Sequence, residues 1–169
     1  MFSGKTSELF RRLRRAEAAS QTTMLIKYKK DTRYDDNISI ACSHDGIKMN
    51  ATPIDDISLL PIPEVDVIGV DEGQFIVGLY EWVQIAANIG IHVIISALDS
   101  TFEQKAFFHD VTRIIPIAEK VIKLHAICVK CKRDASFTRR IDLSVRDEEV
   151  IGGADKYVAT CRQCFSVPL

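Results

Sequence analysis

Residues 1–6 read MFSGKT, and Gly4-Lys5-Thr6 matches the end of the phosphate-binding pattern GxxxxGK[ST]. In such a loop backbone N–H groups and a helix start surround phosphate oxygens, the Lys reaches the β- and γ-phosphates, and the Ser/Thr hydroxyl binds Mg²⁺. Lys5 and Thr6 would take those two roles. The first Gly of the pattern falls before Met1 and no strand precedes the loop, so the numbered chain is expected to begin inside its own motif, without the strand that normally feeds it. Taken alone, SGKT is equally a helix entry capped by Ser3.

A nucleoside-triphosphate site also needs an acidic residue at the end of an apolar strand to hold Mg²⁺. Residues 67–71, VIGVD, supply Asp71. Glu72 follows and could act on a substrate hydroxyl, because side chains alternate in extended chain and Glu72 would point away from Asp71. The plainer reading of Asp71-Glu72-Gly73 is a polar turn capping the next helix, which leaves GKT unexplained. Asp31-Thr32-Arg33 leaves another strand at its end, where open α/β sheets bind ligands. Arg33 could neutralise charge on a transferring phosphoryl group, or Lys29, Lys30 and Arg33 are a solvated loop.

Cys128, Cys131, Cys161 and Cys164 form two CxxC pairs, the spacing of two knuckles around a tetrahedral Zn²⁺. Four sulfur ligands leave no open position, so the metal would be structural. A thioredoxin-like redox pair is the rival, and it requires a CxxC that opens a helix after a strand, which neither pair is expected to do. Cys42 and His44 make a weak further metal pair; Cys42 reads better as a small buried residue. No histidine is assigned to catalysis.

The elements that must position these residues alternate. Residues 5–19 have helical periodicity through Leu9, Leu13 and Ala16, with Arg11, Arg12, Arg14 and Arg15 as a solvated face. Strands are expected at residues 23–28, 65–70 and 92–98, and a helix at 77–88 stopped by Gly90. This predicts an α/β fold: a parallel-sheet core carrying the phosphate loop, flanked by helices, followed by a small zinc-binding ribbon and lid domain. The boundary is expected near Ile127, giving domains 1–127 and 128–169.

The chain has 169 residues, 47% hydrophobic and 27% charged, with a net charge of −1. That is room for one core and an appendage, and it carries no electrostatic footprint for nucleic acid. No stretch is long and apolar enough to span a membrane, and the charge at Lys5 is unlike a signal peptide, so a cytoplasmic location is expected.

The ordered set MFSGKT (1–6), KDTRY (30–34), DEGQF (71–75), ALD (97–99) with Thr101-Phe102, VIGGADKY (150–157) and the four cysteines resembles the type II, cytosolic thymidine kinases over essentially the whole chain. The resemblance implies transfer of the γ-phosphate of ATP to the 5′-hydroxyl of thymidine or deoxyuridine, with Mg²⁺ at Thr6 and Asp71, structural Zn²⁺ at the cysteines, and Glu72 as general base. It implies that Met1, Phe2, Ser3, Gly4, Lys5, Thr6, Asp31, Thr32, Arg33, Asp71 and Gln74 serve the nucleotide side. Met1, Leu98, Phe102, Phe107, Thr138, Glu148, Glu149, Val150, Ile151, Gly152 and Tyr157 would surround the nucleoside. It further implies a zinc-anchored lid over residues 132–160, a homotetramer, and feedback inhibition by thymidine triphosphate (dTTP). Ser100, Ala106 and Glu148 depart from the family pattern, where Gly, Pro and an apolar residue are expected.

Overall fold

The computed structural model describes residues 1–32, 37–107, 110–141 and 152–167. Helix α1 (Lys5–Ala18) buries Leu9, Phe10, Leu13 and Ala16, and Arg11, Arg14 and Arg15 stay exposed. Arg11 and Arg12 both bond Glu8 in the preceding turn, Arg11 the more strongly, and hold its carboxyl down at about 2. The arginine run is therefore a solvated and partly self-neutralised helix face.

Strand β1 (Thr23–Tyr28) follows, then a hairpin of β2 (Ile40–Cys42) and β3 (Lys48–Asn50), and next β4 (Thr52–Ile54), β5 (Val67–Asp71), α2 (Leu79–Asn88) and β6 (His92–Ile95). One sheet runs β4-β1-β5-β6, parallel throughout. Central β5 is buried along its whole length, as expected of a parallel strand covered on both faces. The two-residue period of a strand sorts its side chains. Val67 packs with Leu9, Leu13 and Leu25 beside α1, whereas Ile68 and Val70 pack with Leu79, Trp82 and Val83 of α2. Asp71 has the parity of Val67 and Gly69, so it faces the start of α1.

Two departures from expectation have simple causes. The strand expected over 92–98 ends at Ile95, because its partner β5 ends at Asp71 and the chain turns away there; Ser96 N still donates to Val70 O (2.8 Å). β2, β3 and β4 are three residues each, too short to show a period, and Pro53 sits in β4 at the sheet edge, where a missing N–H is tolerated.

Beyond β6, the short helix α3 (Val111–Ile114) packs on α2. Two antiparallel ribbons follow: β7 (Ala126–Ile127) with β8 (Asp134–Ala135), and β9 (Phe137–Arg140) with β10 (Tyr157–Thr160), closed by α4 (Arg162–Phe165). Their shared core is Ala126, Cys128, Ala135, Ala159 and Cys164, small residues and sulfur with no large aliphatic side chain. Among the described residues no helix is long and apolar enough to cross a membrane.

Candidate active site and metal centre

The loop at residues 1–4 curls through two left-handed residues, Phe2 (φ 60°) and Gly4 (φ 72°). Gly4 is the N-cap of α1 and no side chain caps the helix, so the Ser3-cap reading is wrong. The first N–H groups of α1 lack acceptors within the helix, which is the arrangement that binds anions at helix starts, and this first turn borders a pocket. That pocket is lined by residues 1–7 together with His44, Glu72 and Leu98.

β5 delivers Asp71 to this corner. The Thr6 hydroxyl donates to both of its carboxylate oxygens, at 3.2 and 3.0 Å. Asp71 is 6% exposed. Burial first, and then the neighbouring charge of Glu72, push its carboxyl up to about 6, against the pull of Thr6 and Lys5. A hydroxyl and a carboxylate in one buried corner are the hard oxygen donors that Mg²⁺ takes, so the residues fit that ion.

Glu72 is not in extended chain as expected. It holds φ 53° and ψ 40°, a conformation costly for a side chain with a Cβ, and it does not cap α2, whose N-cap is Gly78. The turn keeps both carboxyls at the same site rather than on opposite faces. Gln74, fully buried, explains how Glu72 is held: its amide nitrogen donates to Glu72 Oε2, and its amide oxygen accepts from Leu98 N at 3.0 Å. Gln74 thus lies beneath the pocket and ties the acid to the backbone of the 97–99 segment.

The other expected site residues distribute unevenly. Met1, Phe2, Ser3, Gly4, Lys5, Thr6 and Leu98 line the pocket, while Asp31 and Thr32 do not. Thr138 lies on β9, where its Oγ1 accepts from Met1 N at 2.7 Å. Phe102 stands against the same ribbon, with the Arg140 guanidinium 5.1 Å from its ring centre. Tyr157 is buried in β10 opposite Arg140. Phe107 packs edge-on against Phe75 (5.8 Å, 84°), closer to the main core. Gly152 is buried. Arg33, Glu148, Glu149, Val150 and Ile151 lie outside the described residues.

The four expected cysteines converge. Their sulfurs all lie within 4.8 Å of one another, and those of Cys131 and Cys161 are 3.6 Å apart. A tetrahedral Zn²⁺ with bonds of about 2.3 Å has sulfur–sulfur edges of roughly 3.8 Å, so this cluster fits such an ion. Backbone N–H groups of Cys131 and Cys161 hold the Cys128 thiol down at about 6, and burial pushes Cys164 up to about 12. A metal would draw all four into the thiolate form. Contrary to expectation, Cys161 does precede a short helix after a strand, α4 after β10. What disfavours a redox pair is the convergence of four sulfurs on one point. Cys42 and His44 belong to no metal-binding group among the described residues; Cys42 is half-buried and its thiol donates to Ser43 O.

Sequence reasoning missed two pocket residues. Ser7 follows the GKT pattern directly and could have been found from it, whereas His44 arrives from a hairpin with no signal of its own. A family model described as thymidine kinase matches residues 1–165. The chain is 45% identical over 168 residues to the cytosolic thymidine kinase of Cricetulus griseus, covering 98% of this chain and 69% of that protein. It is 44% identical over 168 residues to the cytosolic thymidine kinase of Homo sapiens, with 98% and 69% covered. The thymidine kinase of Myxoma virus (strain Lausanne) is 39% identical over 168 residues, covering 98% of this chain and 91% of that protein. With the phosphate cradle, the acidic strand end and the cysteine cluster in one fold, these likenesses establish that the chain belongs to the thymidine kinase family.

Proposed function

We propose that this enzyme transfers the γ-phosphate of ATP to the 5′-hydroxyl of thymidine, and also of deoxyuridine, giving the 5′-monophosphate and ADP. The observation that carries this reading is the meeting of Lys5, Thr6 and Glu72 in one pocket, with Asp71 bonded to Thr6 at its edge. Lys5 and the N–H groups opening α1 hold the triphosphate. Thr6 and Asp71 would hold Mg²⁺, which would supply charge neutralisation on the triphosphate. Glu72 accepts the proton of the 5′-hydroxyl as its oxygen bonds to the γ-phosphorus, and the bond to the β-phosphate oxygen breaks to release ADP. Such transfers pass through a loose transition state, so positioning dominates, yet a placed base is still worth on the order of 10² to 10⁴ in rate. Gln74 supplies that placement by fixing the Glu72 carboxyl.

The nucleoside is assigned to the side of the pocket at Leu98, with Phe102, Thr138 and Tyr157 as its further contacts and Phe102 against the pyrimidine face. Cys128, Cys131, Cys161 and Cys164 would hold Zn²⁺ and so tie both ends of the segment over residues 132–160, a lid that would exclude water during transfer. Asp31, Thr32 and Arg33 assist on the nucleotide side. A homotetramer, a cytoplasmic location and feedback by dTTP, which could span both subsites, complete the proposal.

The test follows phosphate from ATP to thymidine, beside a deoxycytidine control and the Glu72→Gln variant. Transfer to thymidine alone, reduced at least a hundredfold by Glu72→Gln with nucleoside binding retained, is the expected result. Equal turnover by Glu72→Gln would remove Glu72 as the base, and no turnover by the unaltered chain would overturn the kinase reading.

A further inference from the structure

The β2–β3 hairpin has no part in the chemistry described above, yet its tip reaches the phosphate pocket. Its five-residue turn is tightly specified. Ser43 N donates to Ile47 O (2.9 Å), Ile47 N donates back to Ser43 Oγ (3.1 Å), and Gly46 takes the left-handed conformation (φ 81°) that closes the turn. The base of the hairpin is pinned from beneath by Lys27, a lysine only 4% exposed, whose Nζ donates to Ile40 O (2.8 Å). Its tip is clasped to the first turn of α1, where Ser7 Oγ donates to Asp45 Oδ1 (2.9 Å). A turn held at both ends presents the residue between the clasps, His44, to the same pocket that Lys5, Thr6 and Glu72 line. His44 is exposed there, and its ring meets Phe2 edge-on (6.4 Å, 87°).

We propose that His44 is a binding residue for the phosphate donor: an imidazole N–H hydrogen-bonds the ATP phosphates from the hairpin side of the cradle, with the Ser7–Asp45 contact as the clasp that positions it. The proposal rests on the kinase reading above. A triphosphate brings several negative charges to Lys5 and the α1 backbone, and an imidazole offers further donors that an oxyanion accepts. The competing role is a brace for the left-handed Phe2, which needs the ring and not its nitrogens. The two roles separate by chemistry.

The deciding experiment measures the MgATP dissociation constant by calorimetry, the KM values for ATP and thymidine, and Tm, for the unaltered chain and His44→Ala, His44→Phe and His44→Gln. His44→Phe keeps a flat ring against Phe2 and removes both nitrogens; His44→Gln keeps a donor without the ring. The expected result is a rise of about five- to tenfold in Kd and KM for ATP in both His44→Ala and His44→Phe. Partial recovery in His44→Gln should accompany it, with thymidine KM and Tm unchanged. Asp45→Asn, which weakens the clasp, should give a smaller rise of the same kind. ATP affinity retained in His44→Phe overturns the proposal in favour of the brace, and so does a parallel shift of both KM values with a fall in Tm. A chain that binds MgATP but leaves thymidine unphosphorylated overturns the kinase reading instead, and the Kd series still decides His44.

Discussion

Asp71 and Glu72 are adjacent carboxyls, 6% and 8% exposed, in a corner where burial and the neighbouring Glu72 charge both oppose ionisation of Asp71. In the proposed mechanism such a pair would serve cation binding and proton transfer at a cost to the ligand-free fold. The sign follows from Asp71, whose carboxyl titrates at about 6 in the folded chain against an ordinary 3.8. With its folded value raised, the charge imposes no penalty below the ordinary value, and the penalty grows through the interval and is complete above the folded value. Asp71→Asn should therefore stabilise the metal-free protein at pH 7.5 by roughly 1–3 kcal/mol, the gain fading below about pH 4. Turnover should fall by about 10² or more as the proposed Mg²⁺ ligand is lost. Thermal unfolding in a chelating buffer at both pH values, beside steady-state kinetics, checks both halves; equal Tm at pH 7.5 would mean that the site is already relaxed without metal.

The elements place these residues through contacts that a sequence shows only partly. The period of α1, the buried run of β5 and the acidic residue ending it were legible, because long amphipathic helices and central parallel strands carry strong patterns. Glu72 was legible as a candidate site residue but not in its geometry, since a left-handed turn at a glutamate contradicts local preference and the bonds from Gln74 to its carboxyl and from Leu98 N to Gln74 follow no local pattern. His44 was invisible as a pocket residue for a similar reason: three-residue strands have no period, and Ser7 lies 38 residues from Asp45. Gly69 shows how tightly the elements are set. A methyl group there would lie 2.7 Å from Leu13 Cδ1 and 3.2 Å from Leu9 Cδ1, so glycine lets α1 lie against β5 at the spacing that brings Thr6 to Asp71. Gly69→Ala should cost about 1–3 kcal/mol through overpacking and, by pushing α1 outward, lower kcat by about tenfold or more. Denaturant unfolding and kinetics test this, and a variant with lowered stability but unaltered kcat would show that the helix start does not follow the helix body.

At the scale of the whole molecule, two differently stabilised parts meet at the site. The sheet and α1 have ordinary aliphatic cores, whereas the ribbons from β7 to β10 are packed around four sulfurs and three alanines, too little apolar surface to order them unaided. The CxxC spacing made that second part readable from sequence; how it touches the first part was not, because no local pattern encodes such a contact. Phe2 of the phosphate loop packs against the cysteine cluster, and Met1 bonds Thr138 of β9, so the ribbon part supports one wall of the pocket. Structural zinc contributes about 10–16 kcal/mol in small peptides, so an ion held by the four sulfurs would be the principal source of order in this part. Removing it by chelation, or weakening it with Cys131→Ser, should abolish a stoichiometric zinc signal and produce an early unfolding transition ahead of that of the sheet. Thymidine KM should rise by about tenfold or more as the proposed lid loses its anchor, and ATP affinity should fall less, about two- to fivefold, through the Phe2 contact. Metal analysis, calorimetric scanning and the two KM values measured together distinguish this from general denaturation, in which both substrates are lost along a single transition. Unchanged thymidine KM in the zinc-free protein would mean that the ribbons keep their shape by packing alone, and the lid would need another anchor.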